Sequence, residues 1–272
     1  AEVLVLYSLV GFILPLTCRL KDKWVFLLAC VLLIQPLPLY YVIRACLDPS
    51  FITPAIPTRS FWDATFAVQS HGSFLETVRV NLWEGQIASL AWAWDHGRVF
   101  QTAALFLLGM LIGRRGLFQK ENLKVWNKIL AGALIAFFPL YGLGNMLPAF
   151  IVNKSILTPL SLIITSLSNF SFMLVLVSGV IFAFYNTNMH YLLMKITPYG
   201  KMSLTNYITQ SIVGSMLYYN WGFALHNQCG ITVSCLAGIA FFILQFTFCR
   251  WWMSHHSHGP MEYIWKRATW LK

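Results

Sequence analysis

Residues 158–185 read TPLSLIITSLSNFSFMLVLVSGVIFAFY, a run without a single Asp, Glu, Lys or Arg. As a helix rising about 1.5 Å per residue, it outruns the ~30 Å hydrocarbon core of a bilayer. Working outward, comparable apolar runs lie near residues 3–17, 24–43, 99–117, 129–152, 203–221 and 231–250. The fold class that follows is all-α: a polytopic integral membrane helix bundle of about seven transmembrane helices. Composition agrees, because 58% of the 272 residues are hydrophobic and only 10% are charged, against about 25% charged in soluble domains. The mean hydropathy is +0.64. The chain reads as a single transmembrane domain over residues 1–272, with one long connection at about 45–97 and a tail at about 251–272.

The charges sort by side. Arg19, Lys21 and Lys23, then Arg114, Arg115, Lys120, Lys124 and Lys128, then Lys195 and Lys201, and finally Arg250, Lys266, Arg267 and Lys272 fall in alternate connections and the tail. They are fourteen of the nineteen basic residues. The excess of Lys and Arg on the cytoplasmic side of membrane proteins then places the amino end outside and the carboxyl end in the cytoplasm. Trp24, Trp126, Trp221, Trp251 and Trp252 lie near span ends, where amphipathic rings favour the headgroup layer. The net charge of +10 therefore points to the lipid bilayer as partner and not to nucleic acid, whose binding needs a basic stripe on a polar surface. The chain starts at Ala1 and enters an apolar run almost at once, which reads as part of a longer protein.

The long connection begins irregularly around Pro49, Pro54 and Pro57. It continues with Phe74, Leu75, Val78 and Leu82 at helical spacing among Glu76, Arg79 and Glu84, as in an amphipathic interfacial helix. Such a segment either anchors the chain or caps an outward-facing cavity. Glu84, Asp95, His96 and Arg98 gather near the outer mouth of the third span, with His71 upstream. A carboxylate beside an imidazole that removes a proton from a hydroxyl or amine is general-base chemistry, and an Arg neutralises developing charge. His96, Asp95, Arg98 and His71 are accordingly the candidate catalytic residues.

No span carries a charge near its middle, which disfavours an ion-coupled pump. The deep polar groups are neutral. Ser161, Thr165, Ser168 and Asn169 recur every three to four residues, and Asn206 and Gln210 stand one turn apart. These faces turn inward, either to bond helix to helix or to line a substrate cavity, for which Asn169, Asn206 and Gln210 are the candidates. His255, His256 and His258 lack accompanying ligands at zinc spacing, so no metal is expected. Gly109 and Gly113 form a GxxxG that permits close helix packing. Cys46 and Cys229 both fall on the outer side, where a disulfide is chemically permitted.

Three stretches carry a family resemblance. They are Phe106-Leu107-Leu108-Gly109-Met110-Leu111-Ile112-Gly113-Arg114-Arg115-Gly116, then Pro198-Tyr199-Gly200-Lys201-Met202-Ser203-Leu204-Thr205-Asn206-Tyr207-Ile208-Thr209-Gln210-Ser211, and Gly259-Pro260-Met261-Glu262-Tyr263-Ile264-Trp265-Lys266-Arg267-Ala268-Thr269. In this order they resemble the YeiB-like family of bacterial inner-membrane proteins, a domain of unknown function. The segment from Glu2 to Gly11 resembles an internal stretch of that family, which implies that the chain is a carboxyl-terminal portion. The family is similar, more remotely, to membrane acyltransferases. That resemblance implies location in the bacterial inner membrane and a coenzyme A thioester as acyl donor, with an extracytoplasmic glycan or small-molecule acceptor and no tightly bound cofactor. A carrier for a small or amphipathic solute and a non-catalytic membrane component are the alternatives. Within these motifs, Pro198 and Gly200 are expected to break the chain before the sixth helix, Ser203 to cap it, and Glu262 to pair with Lys266 one turn on.

Overall fold

The computed structural model describes residues 3–48, 50–54 and 58–270, and among them there is no strand. Two compact units interleave along the sequence. One comprises the chain up to Trp62 together with Asn81–Tyr185, the other Asp63–Val80 together with the chain from Asn186 onward.

The first unit opens with α1 (Val3–Gly11) and α2 (Ile13–Thr17), followed by α3 (Asp22–Leu33) and α4 (Pro36–Leu47). Helix α5 (Thr58–His71) begins here, and after α6 (Phe74–Leu82) the unit resumes with α7 (Glu84–Asp95) and α8 (Arg98–Arg114). The long helices α9 (Leu123–Phe150) and α10 (Lys154–Tyr185) complete it. Helix α3 packs along α8 through Val25, Ala29, Leu107 and Leu111, the spacing that puts one apolar stripe on each helix. Their far ends are pinned where Asp22 meets Arg114 at 3.3 Å and Arg115 at 3.0 Å. Tyr7 of α1 meets Phe106 of α8 edge to face.

The second unit holds most of α5 and α6, then α11 (Thr187–Lys201), α12 (Ser203–Tyr218), α13 (Ile231–His255) and α14 (Pro260–Trp270). Helix α6 starts with a capping box: the Glu76 carboxylate accepts from the Ser73 backbone N–H at 2.8 Å, and Ser73 Oγ accepts from the Glu76 N–H. Its Phe74, Leu75 and Leu82 are exposed. The basic connection holding Lys195 and Lys201 is itself helical, as α11. Asn186 caps it by accepting from the N–H groups of Asn188 and Met189.

Among the described residues, three helices are long and apolar enough to cross a membrane: Lys120–Phe150, Lys154–Tyr185 and Ile231–His255. The number rises to five if each of two bent pairs is one crossing. The chain is thus an all-helical membrane protein with three to five candidate spans. Helix α12 has 16 residues, roughly 24 Å at 1.5 Å per residue.

Several local expectations change. The second span is broken, α3 and α4 meeting at 51° around Gln35, and α7 with α8 forms a second bent pair at 77° around Gly97. Pro198 lies inside α11, and the chain breaks instead at Met202. Trp126 is not at a lipid interface but fully buried, stacked on Phe118 and donating to the Leu117 carbonyl at 2.7 Å. Gly109 and Gly113 face open space, so this GxxxG brings no helix close. All six cysteines are free thiols, Cys46 and Cys229 included. Pro57 and Pro49, part of the irregular start of the long connection, lie outside the described residues.

Candidate functional site

The two helix breaks in the first unit are built differently. Gly97 ends α7 with φ at 64°, the left-handed region that glycine enters without a Cβ penalty. Gln35 starts α4 with φ at 61°, and it is one of only two non-glycine residues with positive φ among those described. Left-handed backbone costs an ordinary L-residue roughly 1–2 kcal/mol, so something must hold Gln35 there. Pro36 follows at once and forbids α3 from continuing. The Gln35 side chain is fully buried and donates through Nε2 to Ser166 Oγ of α10 at 3.0 Å.

The breaks touch. A Cβ placed on Gly97 would stand 2.3 Å from Gln35 Oε1 and 2.8 Å from Leu162 Cδ2. Only glycine fits there. Gln101, one turn into α8, donates to the Ser166 backbone carbonyl at 3.4 Å and accepts from Arg98 at 2.8 Å. Thus Ser166 joins both breaks to α10.

Beside this junction lies a cavity of about 700 Å³, within the range of small-molecule sites. Leu37, Tyr41, Ile52, Trp94 and Leu162 contribute apolar wall, while Asp95, His96, Arg98, Gln101 and Lys154 contribute its charged and polar groups. Ser161, Thr165 and Asn169 line it from successive turns of α10. Ser168, expected on the same stripe, is buried and absent from the lining. Thr53 ties the strand of chain before α5 to the start of α10 by donating to the Ser155 carbonyl.

Asp95 and His96 do not form a dyad. Asp95 accepts a hydrogen bond from the Thr58 hydroxyl. His96 stacks on Trp92, with 4.6 Å between ring centroids, and its Nδ1 lies 2.9 Å from the Trp92 carbonyl. A carbonyl only accepts, so Nδ1 carries the proton and, in the neutral ring, Nε2 keeps its lone pair. The ring is exposed. Arg98 sits near Trp92 as well, 5.8 Å from the ring centroid. Four of the seven candidate catalytic and cavity residues, Asp95, His96, Arg98 and Asn169, therefore share one cavity. Gln101 and Lys154 line it too and were not anticipated, nor was Gln35, which lies buried in the junction beside it. The proline pair around Leu37 was the available signal for Gln35.

His71, Asn206 and Gln210 belong to the second unit. Asn206 is buried: its Nδ2 donates to the Tyr199 carbonyl at 3.0 Å and its Oδ1 accepts from Cys249 Sγ. Gln210 donates to the Tyr199 hydroxyl and to Gln245 Oε1, both at 3.0 Å. These amides are spent joining α11, α12 and α13. Ser203 does not cap α12. Glu262 does so from α14, accepting from the N–H groups of Leu204 at 2.7 Å and Thr205 at 3.0 Å and from the Thr205 hydroxyl. Burial pushes the Glu262 carboxyl up, but the Thr205 and Leu204 hydrogen bonds outweigh it and hold the group below its usual range.

Curated relatives share stretches of this chain. The protein YxaH of Bacillus subtilis (strain 168) is 30% identical over 95 residues, 35% of this chain and 24% of that protein. The 39.9 kDa protein in the amylase 3' region of Bacillus acidopullulyticus is 32% identical over 78 residues, 29% of this chain and 22% of its own. YeiB of Escherichia coli (strain K12) is 29% identical over 83 residues, 29% of this chain and 20% of its own. All three carry the description "uncharacterized", and the chain spans about a quarter or less of their length. No solved structure matches. A family profile, "Protein of unknown function (DUF418)", matches residues 112–272, a stretch holding the second and third of the quoted motifs. That match covers more than half of the chain, and the protein belongs to this YeiB-like family.

Proposed function

We propose that the protein is an acyltransferase of the bacterial inner membrane. It moves an acyl group from a cytoplasmic coenzyme A thioester to a hydroxyl or amine of an acceptor, a glycan or small molecule, reached from the outer side. The observation that carries the reading is the state of His96. Its Nδ1 proton is held by the Trp92 carbonyl, which leaves Nε2 as a base at the wall of a cavity large enough for a small acceptor. Nε2 takes the acceptor proton as that oxygen or nitrogen attacks the thioester carbonyl. The coenzyme A thiolate leaves as the tetrahedral centre collapses. Arg98 and Lys154 bring positive charge to the same wall, favouring an anionic acceptor and the developing oxyanion. Asp95 acts by electrostatics across the cavity and not by orienting the imidazole.

In the same reading the chain crosses the membrane seven times: through α1–α2, the bent pairs α3–α4 and α7–α8, then α9, α10, α12 and α13. The amino end lies outside and the carboxyl end in the cytoplasm. The sorting of fourteen basic residues to one side supports this arrangement.

A carrier is the second reading, and the meeting of two helix breaks favours it. Discontinuous helices whose irregular backbone lines a polar cavity are a recurring way to bind a solute within the membrane. With α7–α8 as one crossing, Asp95, His96 and Arg98 lie inside the span and not at its mouth, which removes the argument that charge is missing at depth.

The test measures acetyl coenzyme A binding and thiol release by the detergent-purified protein with sugar and amine acceptors. His96→Ala is expected to keep binding and lose thiol release. Absence of binding by a folded protein refutes acyl transfer, and uptake of solute by vesicles that His96→Ala leaves intact selects the carrier.

A further inference from the structure

The chain's tail carries a second cavity. Glu262 is the only acidic residue of α14, and its carboxylate is committed to the first turn of α12. Lys266, one turn further along, has no carboxylate partner and instead meets His258 Nε2 at 3.1 Å. Neither Lys266 nor Arg267 forms an ion pair among the described residues, where the only salt bridges are those of Asp22. Among the described residues, then, both cations stand without a counterion.

They do not point in unrelated directions. Tyr263, Lys266, Arg267 and Trp270 follow the i, i+3, i+4, i+7 spacing of one helix face, and with Ser257 and His258 they line a cavity of about 660 Å³. Two exposed rings, Tyr263 and Trp270, flank the charged groups. On the rest of the helix Ile264 and Trp265 are also exposed. A short helix with aromatic and aliphatic residues facing out and unneutralised cations between them is suited to lie at the headgroup layer.

We propose that this pocket binds the phosphate of an anionic lipid headgroup, which supplies the charge that Glu262 withholds from Lys266 and Arg267. The Tyr263 and Trp270 rings seat beside the glycerol and upper acyl chain, and the His258 imidazole shares the Lys266 proton donor. The site is independent of the chemistry proposed at His96.

The probe is fluorescent phosphatidylglycerol, added to the full chain in a neutral detergent, with fluorescent phosphatidylcholine as reference. Phosphatidylglycerol is expected to bind more tightly, and Lys266→Gln with Arg267→Gln to weaken it by about thirtyfold, or about fivefold per cation. Phosphatidylcholine binding should stay unchanged. Unaltered exchange protection at Leu204 and Thr205 shows that α14 is still docked in the variant. A matched pair removed elsewhere, Lys124→Gln with Lys128→Gln, should leave phosphatidylglycerol affinity intact. Equal weakening by the two pairs, or no preference between the lipids, overturns the proposal. Displacement of phosphatidylglycerol by millimolar inorganic pyrophosphate overturns it too, by assigning the pocket to a soluble phosphate compound.

Discussion

Replacing Gly97 by alanine tests the junction of the two helix breaks. The substitution must place a side chain where φ is +64° and where Gln35 Oε1 stands 2.3 Å from the new Cβ. The backbone term is about 1–2 kcal/mol for an L-residue in the left-handed region. Gln35 is the far end of a flexible side chain, but it is fully buried and tied to Ser166. Moving away means giving up that hydrogen bond, worth about 0.5–1.5 kcal/mol net. Together Gly97→Ala should cost about 2–3 kcal/mol. The assay is equilibrium unfolding in mixed micelles, run as a cycle with Gln35→Ala. In the Gln35→Ala background the contact with the amide is gone and only the backbone cost and the Leu162 contact remain, so Gly97→Ala should cost about 1 kcal/mol less there. A cost below about 1 kcal/mol in the native background, or equal costs in both, refutes the contact between the breaks.

Other outcomes follow from named contacts. Glu262→Ala removes the cap of α12 and should cost about 0.5–2 kcal/mol, read as lost exchange protection at the Leu204 and Thr205 amides. Because the Glu262 carboxyl is held below its usual 4.5, the stability it contributes is present above that value and drains away as the pH falls through the lower folded one. Protection factors at the same two amides should thus drop on acidification below about pH 4.5 and not change between pH 6 and 8. Asn206→Leu breaks the bonds to Tyr199 and Cys249 and should destabilise by about 1 kcal/mol, at roughly 0.6 kcal/mol per interhelical bond; in the acyl-transfer assay its turnover should match the native protein once folded. Thr58→Val leaves the Asp95 carboxylate without its hydroxyl donor, and a lower thiol-release rate with unchanged acetyl coenzyme A binding is the expected result.

The long spans were legible because their signal is local and one-dimensional. Residues 158–185 need only their own apolarity to be read as a helix, and α10 runs from Lys154 to Tyr185. The breaks were less so. Pro36 and Pro38 sit inside an apolar run that averages them away, and α7, with its two tryptophans and scattered alanines, falls within the long connection because the Gly97 bend separates it from α8. The site divides in the same manner. Asp95, His96 and Arg98 are neighbours in sequence and could be grouped by eye, whereas their companions on α10 lie in register only because Gln35 and Gln101 both bond to Ser166, contacts spanning 131 and 65 residues. The tail gave the opposite lesson. Ser203 before α12 and Glu262 before Lys266 satisfy local rules for a cap and an i,i+4 pair, yet the carboxylate gains more from several donors at the start of α12 than from one exposed ammonium.

That long-range cap makes α12 depend on a carboxylate almost sixty residues further along the chain. An affinity tag appended beyond Trp270 leaves the Glu262 carboxylate where it is. A protease cut between His258 and Glu262 does not: it severs the tether that keeps the carboxylate beside Leu204, and α12 would begin to fray from a lesion nowhere near it in sequence. A label on α14 is accordingly a remote gauge of the state of α12.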